Sequence, residues 1–111
     1  MKLPPDSFIA REKAIAYLLV RQSRSDKSAF LAGAGYTLEN PDTLLASLDA
    51  LRTHGDAVLV DENKFGRYYE VVGILSAPNG ISLRVRTIWM TEHLSGITKF
   101  ITLIPIGTVR T

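Results

Sequence analysis

The sequence has no cysteine among its 111 residues. That excludes thiol catalysis, a disulfide framework and any zinc site built on thiolates. Histidine is nearly as scarce: His54 and His93 are the only two, and no spacing of His, Asp and Glu reads as a metal site. No metal and no cofactor are therefore expected. No apolar run approaches the roughly 20 residues of a membrane span. Met1-Lys2-Leu3-Pro4-Pro5 carries no apolar leader segment, so no secretory signal is expected; the lack of cysteine leaves the compartment open, with the cytoplasm the default expectation. Gly33-Ala34-Gly35 closes a helix instead of opening one, so there is no phosphate-binding glycine loop, and no serine has a nucleophile-elbow context. Neither sign of charge dominates. The net charge of +2 permits contact with phosphates without arguing for it.

What is present fits one domain spanning 1–111, with 46% hydrophobic and 22% charged residues. Leu3 to Asp6 reads as an extended lead-in, and Ser7-Phe8-Ile9 as a short edge strand or the entry to a helix. Helical periodicity runs from Ala10 to Gln22 through Ala14, Tyr17, Leu18 and Arg21. A polar loop follows, and Ser25 or Asp26 caps a short second helix carrying Ala29, Phe30 and Ala32. Gly35 is the expected left-handed residue at its end. Asn40-Pro41-Asp42 opens a third helix whose leucines, Leu44, Leu45, Leu48 and Leu51, form one apolar face. Four strands then follow: Ala57–Val60, Arg67–Leu75, Ile81–Thr91 and Ile97–Pro105, with the last residues fraying. Helices first and turn-linked strands after predict an α+β domain, about three N-terminal helices on one face of a four-stranded antiparallel meander.

Strand alternation divides the third strand. Leu83, Val85, Thr87 and Trp89 face the helices; Ser82, Arg84, Arg86 and Ile88 face away. Five-residue turns predict Leu75 opposite Ile81 and Thr91 opposite Ile97. Glu70, Arg86 and Thr102 would then share one row of the open face, flanked by Tyr68 and Arg84. A carboxylate that takes a proton, a guanidinium that stabilises phosphorane charge and a hydroxyl that holds a phosphate oxygen suit phosphodiester chemistry. The same three residues equally make a plain cross-strand ion pair beside a threonine, and a one-residue slip would scatter them. Lys13 and Lys27, near the starts of two helices, with Arg21 and Arg24 between them, form a candidate phosphate rim.

The blocks resemble a bacterial domain family of unknown function found alone and at the ends of polymorphic toxins. They are Glu12-Lys13 with Tyr17-Leu18-Leu19; Lys27-Ser28-Ala29-Phe30 with Gly35-Tyr36; Gly66, Tyr69, Val71, Gly73, Leu75, Pro78 and Gly80; Val85 to Trp89; and Phe100 to Pro105. That family is similar to the ribonuclease group of barnase, EndoU, the colicin nucleases and RelE. The resemblance implies helices followed by a four-stranded antiparallel sheet, and metal-free RNA cleavage that uses the 2′-hydroxyl as nucleophile. It makes Lys13, Lys27, Thr87 and Thr102 candidates for the RNA site, with Lys99 near a position where the family carries arginine. Two departures stand out. Arg21 to Asp26 replaces a segment that usually holds His-Pro and a glycine, and Ile104 stands near an aromatic position.

Two functions are therefore expected in competition. One is a ribonuclease-type toxin, with catalytic Glu70, Arg86 and Thr102 and RNA-binding Lys13, Lys27, Arg84, Thr87 and Lys99, neutralised by an antitoxin. The other is a catalytically silent module on the same fold that binds a protein or RNA, which the missing histidine favours. A structural domain that pairs through an edge strand is the third possibility.

Overall fold

The computed structural model describes residues 1–19 and 27–109. The polar loop expected over Arg21–Arg24, the Ser25 or Asp26 cap and the expected helix end at Gln22 lie outside the described residues. Three helices, α1 (Arg11–Leu18), α2 (Ser28–Ala32) and α3 (Pro41–His54), precede four strands, β1 (Ala57–Glu62), β2 (Gly66–Ser76), β3 (Ser82–Glu92) and β4 (Thr98–Val109). The strands form one antiparallel sheet in the order β1-β2-β3-β4. This is the α+β meander that the sequence predicts.

The apolar face of α3 decides which side of the sheet is covered. Leu44, Leu48 and Leu51 are buried and join Val71, Leu75, Leu83, Val85, Trp89 and Leu103 in one core. Gly73 is what lets α3 come so close. A Cβ at that position would stand 2.3 Å from Leu51 Cδ2. Trp89 is fully buried and meets Phe100 edge-on at 5.4 Å between ring centroids. Asn40 behaves differently from a simple helix cap. Its side chain turns back, accepting from Thr37 N–H at 2.8 Å and donating to the Gly35 carbonyl at 2.9 Å. It thereby fixes the crossing from α2, where Gly35 has the expected positive φ of 98°.

The two edges of the sheet are treated differently. Phe8 pairs in parallel with Lys99 and exchanges backbone hydrogen bonds with Thr98 and Phe100, so the β4 edge is covered at its start. Pro105, which cannot donate to a ladder, sits on this edge strand. β4 runs on to Val109, past the expected end at Pro105. On β1, Val58, Leu59 and Val60 are all about half exposed.

The predicted cross-strand register is corrected on both sides of β3. Leu75 pairs with Leu83, so Glu70 lies opposite Ile88 and Val72 lies opposite Arg86. The turn is closed by Ala77 N–H to the Ile81 carbonyl, which moves the pairing one residue along each strand and leaves the faces unchanged. Between β3 and β4, Thr91 pairs with Thr98 because the turn is closed by Glu92 N–H to the Ile97 carbonyl, one residue shorter than expected. That slip alone reverses the faces of β4, which is why Phe100 enters the core. A bulge at Ile101 reverses them again. Thr102 therefore returns to the open face, opposite Ile88.

Candidate functional site

The open face carries two polar groups separated by an apolar residue. The first is the Glu70–Arg86 pair. Arg86 sits diagonal to Glu70 and donates from both Nε and Nη2 to Glu70 Oε2, at 2.8 and 2.5 Å. Its side chain stays partly exposed beside the more covered carboxylate. The second centres on Thr102. Glu70, Ile88 and Thr102 occupy successive strands of one row, so Glu70 and Thr102 are roughly 10 Å apart, two strand spacings, with Ile88 between them. The single row expected of Glu70, Arg86 and Thr102 is thus split in two.

Thr102 instead meets α1. The face of α1 that buries Ala14 and Leu18 lies against the β4 edge, and Tyr17, one turn on from Lys13, reaches over that edge. Thr102 Oγ1 donates to Tyr17 Oη at 3.3 Å, and Lys27 Nζ donates to the same oxygen at 3.2 Å. Lys27 stands immediately before α2 and is 8% exposed, with its ammonium also over the Tyr17 ring at 4.9 Å from the centroid. Two donors converging on one phenol oxygen favour its charged form. The Thr102 hydroxyl, then the Lys27 ammonium, hold the Tyr17 pKa below the ordinary tyrosine value, against the opposing effect of burial. Lys13 lines the shallow cleft between α1 and β4, together with Ala10, Ala14, Phe100 and Ile101.

Other candidates fall elsewhere. Thr87 is fully buried on the helix-facing side. Its hydroxyl donates to the Val71 carbonyl at 2.9 Å and accepts from Trp89 Nε1 at 2.9 Å, so it braces the core and does not reach the open face. Arg84 is exposed on the open face opposite Ile74. Lys99 lies 3.4 Å from Glu92 Oε1 and is half-buried. Arg21 and Arg24 lie outside the described residues. Among the described residues, no three His, Asp or Glu side chains come together as a cation site. Sequence reasoning missed Tyr17 as a site residue. It counted Tyr17 toward the helix face, and the i,i+4 relation to Lys13 was the available signal.

Around the polar groups the open face is apolar, with Val58, Val72, Ile74 and Ile104 all more than a third exposed. These features define an α+β domain with one bare sheet face and a lysine–tyrosine–threonine cluster at its β4 edge. The chain belongs to the family described as a domain of unknown function, DUF6883, which matches residues 5–107. No curated protein and no solved structure matches it.

Proposed function

We propose that this domain cleaves RNA without a metal ion, with Tyr17, Lys27 and Thr102 as its reacting cluster. The observation that carries the reading is the Tyr17 phenol, held by two hydrogen-bond donors and still 37% exposed to a ligand. A phenol with a lowered pKa is suited to proton transfer, and a nearly buried ammonium stabilises charge more strongly than a solvated one. In the proposed step, the RNA 2′-oxygen bonds to the adjacent phosphorus as its proton passes to the Tyr17 phenolate. Lys27 and Thr102 hold the phosphoryl oxygens as negative charge grows on them. The bond to the 5′-oxygen breaks, that oxygen takes a proton from water, and a 2′,3′-cyclic phosphate remains. Tyr17 then returns its proton to solvent. Lys13 and the Arg86–Glu70 pair lie further along the chain of phosphates and contribute binding.

The block pattern's resemblance to toxin-borne ribonuclease domains supports the same reading. It also supports the cytoplasm as the site of action and an antitoxin as partner. The test is cleavage of a short single-stranded RNA in EDTA by the wild type and by Tyr17→Phe. Cleavage by the wild type alone supports the proposal; no cleavage by either, or equal cleavage by both, contradicts it.

One observation favours a second reading. Val58, Val72, Ile74 and Ile104 leave a broad apolar surface around Arg86, of the kind that proteins use for docking. A catalytically silent protein-binding module would leave RNA uncleaved, yet would lose its partner on Ile74→Asp.

A further inference from the structure

At the far end of the open face, the β1–β2 and β3–β4 turns are laced together. His93 N–H donates to the Phe65 carbonyl at 3.0 Å, and His93 Nε2 lies 3.0 Å from the Asn63 carbonyl oxygen. Asn63 Oδ1 accepts from the Phe65 and Gly66 N–H groups at 2.9 and 3.3 Å. The turns are therefore fixed before any ligand arrives. Between them opens a cleft of about 240 Å³, lined by Lys64, Phe65, Tyr68, Met90, Glu92 and Leu94. Phe65 is 62% exposed and Leu94 fully exposed, while Met90 is buried beneath them. No residue of this cleft takes part in the proposed chemistry.

We infer that this cleft is a stacking subsite for an unpaired nucleobase of the RNA strand. The inference rests on the reading of the Tyr17 cluster as an RNA site. Phe65 and Tyr68 supply π faces, on which any base stacks. Lys64 Nζ stands over one face of the Phe65 ring, 5.1 Å from its centroid, which leaves the opposite face for the base and a cation near its phosphate. Glu92 at the wall offers a carboxylate to a base amino group. The subsite and the cluster lie on the same face of the sheet. Tyr68 lies two residues before Glu70 on β2, and the Glu70 row ends at Thr102. The separation is roughly 12 Å by strand geometry, a span that a short oligonucleotide bridges.

The test uses a fluorescent, uncleavable 2′-O-methyl hexanucleotide and its counterpart with one internal abasic residue. Both are titrated against the wild type, Phe65→Ala and Leu94→Ala, with cleavage of the matching RNA measured in parallel. Phe65 is exposed in a turn, so its loss leaves the fold intact, checked by circular dichroism. The wild type is expected to bind the complete strand at least about fivefold more tightly than the abasic one. Phe65→Ala loses that difference and raises KM with little change in kcat. Equal binding of both strands by the wild type, or unchanged affinity in Phe65→Ala, overturns the subsite even where Tyr17-dependent cleavage is present. Discrimination by the wild type that Phe65→Ala abolishes, without any cleavage, upholds the subsite and overturns the chemistry instead. Binding lost equally for both strands in Leu94→Ala and Phe65→Ala points to a general apolar dock and also overturns it.

Discussion

Single residues divide sharply between bracing and chemistry. Thr87 carries a family-pattern position, yet its hydroxyl links Val71 and Trp89 inside the core. Thr87→Val should cost about 1–3 kcal/mol, because the Trp89 N–H is left without a partner in a buried place. The change should appear in the urea midpoint, with RNA affinity untouched. Tyr17 behaves oppositely: its bonds tune a proton. Alkaline titration followed by tyrosinate absorbance should find Tyr17 ionising before Tyr36, whose pKa burial raises. The lowered Tyr17 pKa stabilises the fold only above the ordinary tyrosine value near 10, and that contribution is gone once the pH falls through the folded value. It adds nothing to stability near neutrality. Lys27→Met keeps the buried stem but removes the ammonium. It should raise the Tyr17 pKa and move the acidic limb of the cleavage profile to higher pH; an unmoved limb would dissociate Tyr17 from the proton transfer.

At the level of elements, α3 and the strands show how much the sequence disclosed. The leucine spacing of α3 and the alternation of β3 were both legible, and the core that joins Leu44, Leu48, Leu51, Val85 and Trp89 follows from them. Register was not legible. It was set by turn closure at Ala77 and Ile81 and by a bulge at Ile101, neither of which hydrophobic alternation encodes. The open face of Thr102 agrees with the reading only because a shorter turn and that bulge reverse the strand twice. The split of the Glu70–Arg86–Thr102 row follows from that register, whereas the meeting of Thr102 with Tyr17 across the sheet edge depends on the tertiary packing of α1. Gly73 tests the α3 contact itself. Gly73→Ala would drive a methyl into Leu51, 2.3 Å away. It should destabilise by about 1–3 kcal/mol, and Leu51→Ala in the same chain should recover part of that loss, since the two sites share one contact. Additive losses would place the strain elsewhere.

Across the whole molecule, one sheet face is sealed by helices and the other presents an apolar field, a half-exposed arginine and a lysine–tyrosine–threonine cluster at its margin. No helix among the described residues is long and apolar enough to cross a membrane. A net charge of +2 is small, so the long-range pull on RNA should be weak and local contacts should dominate. Binding should still fall as salt rises, in proportion to the few phosphates held by Lys13, Lys27 and Arg86. The proposed cleavage places its proton transfer on the Tyr17 phenol. Its most direct measurement is the single-turnover rate of RNA cleavage in EDTA for wild type and Tyr17→Phe, with the products resolved by their ends. A fall of at least about 100-fold in Tyr17→Phe, with unchanged RNA affinity and 2′,3′-cyclic phosphate ends from the wild type, is the predicted result; equal rates for the two proteins, or no cleavage by either, would contradict it.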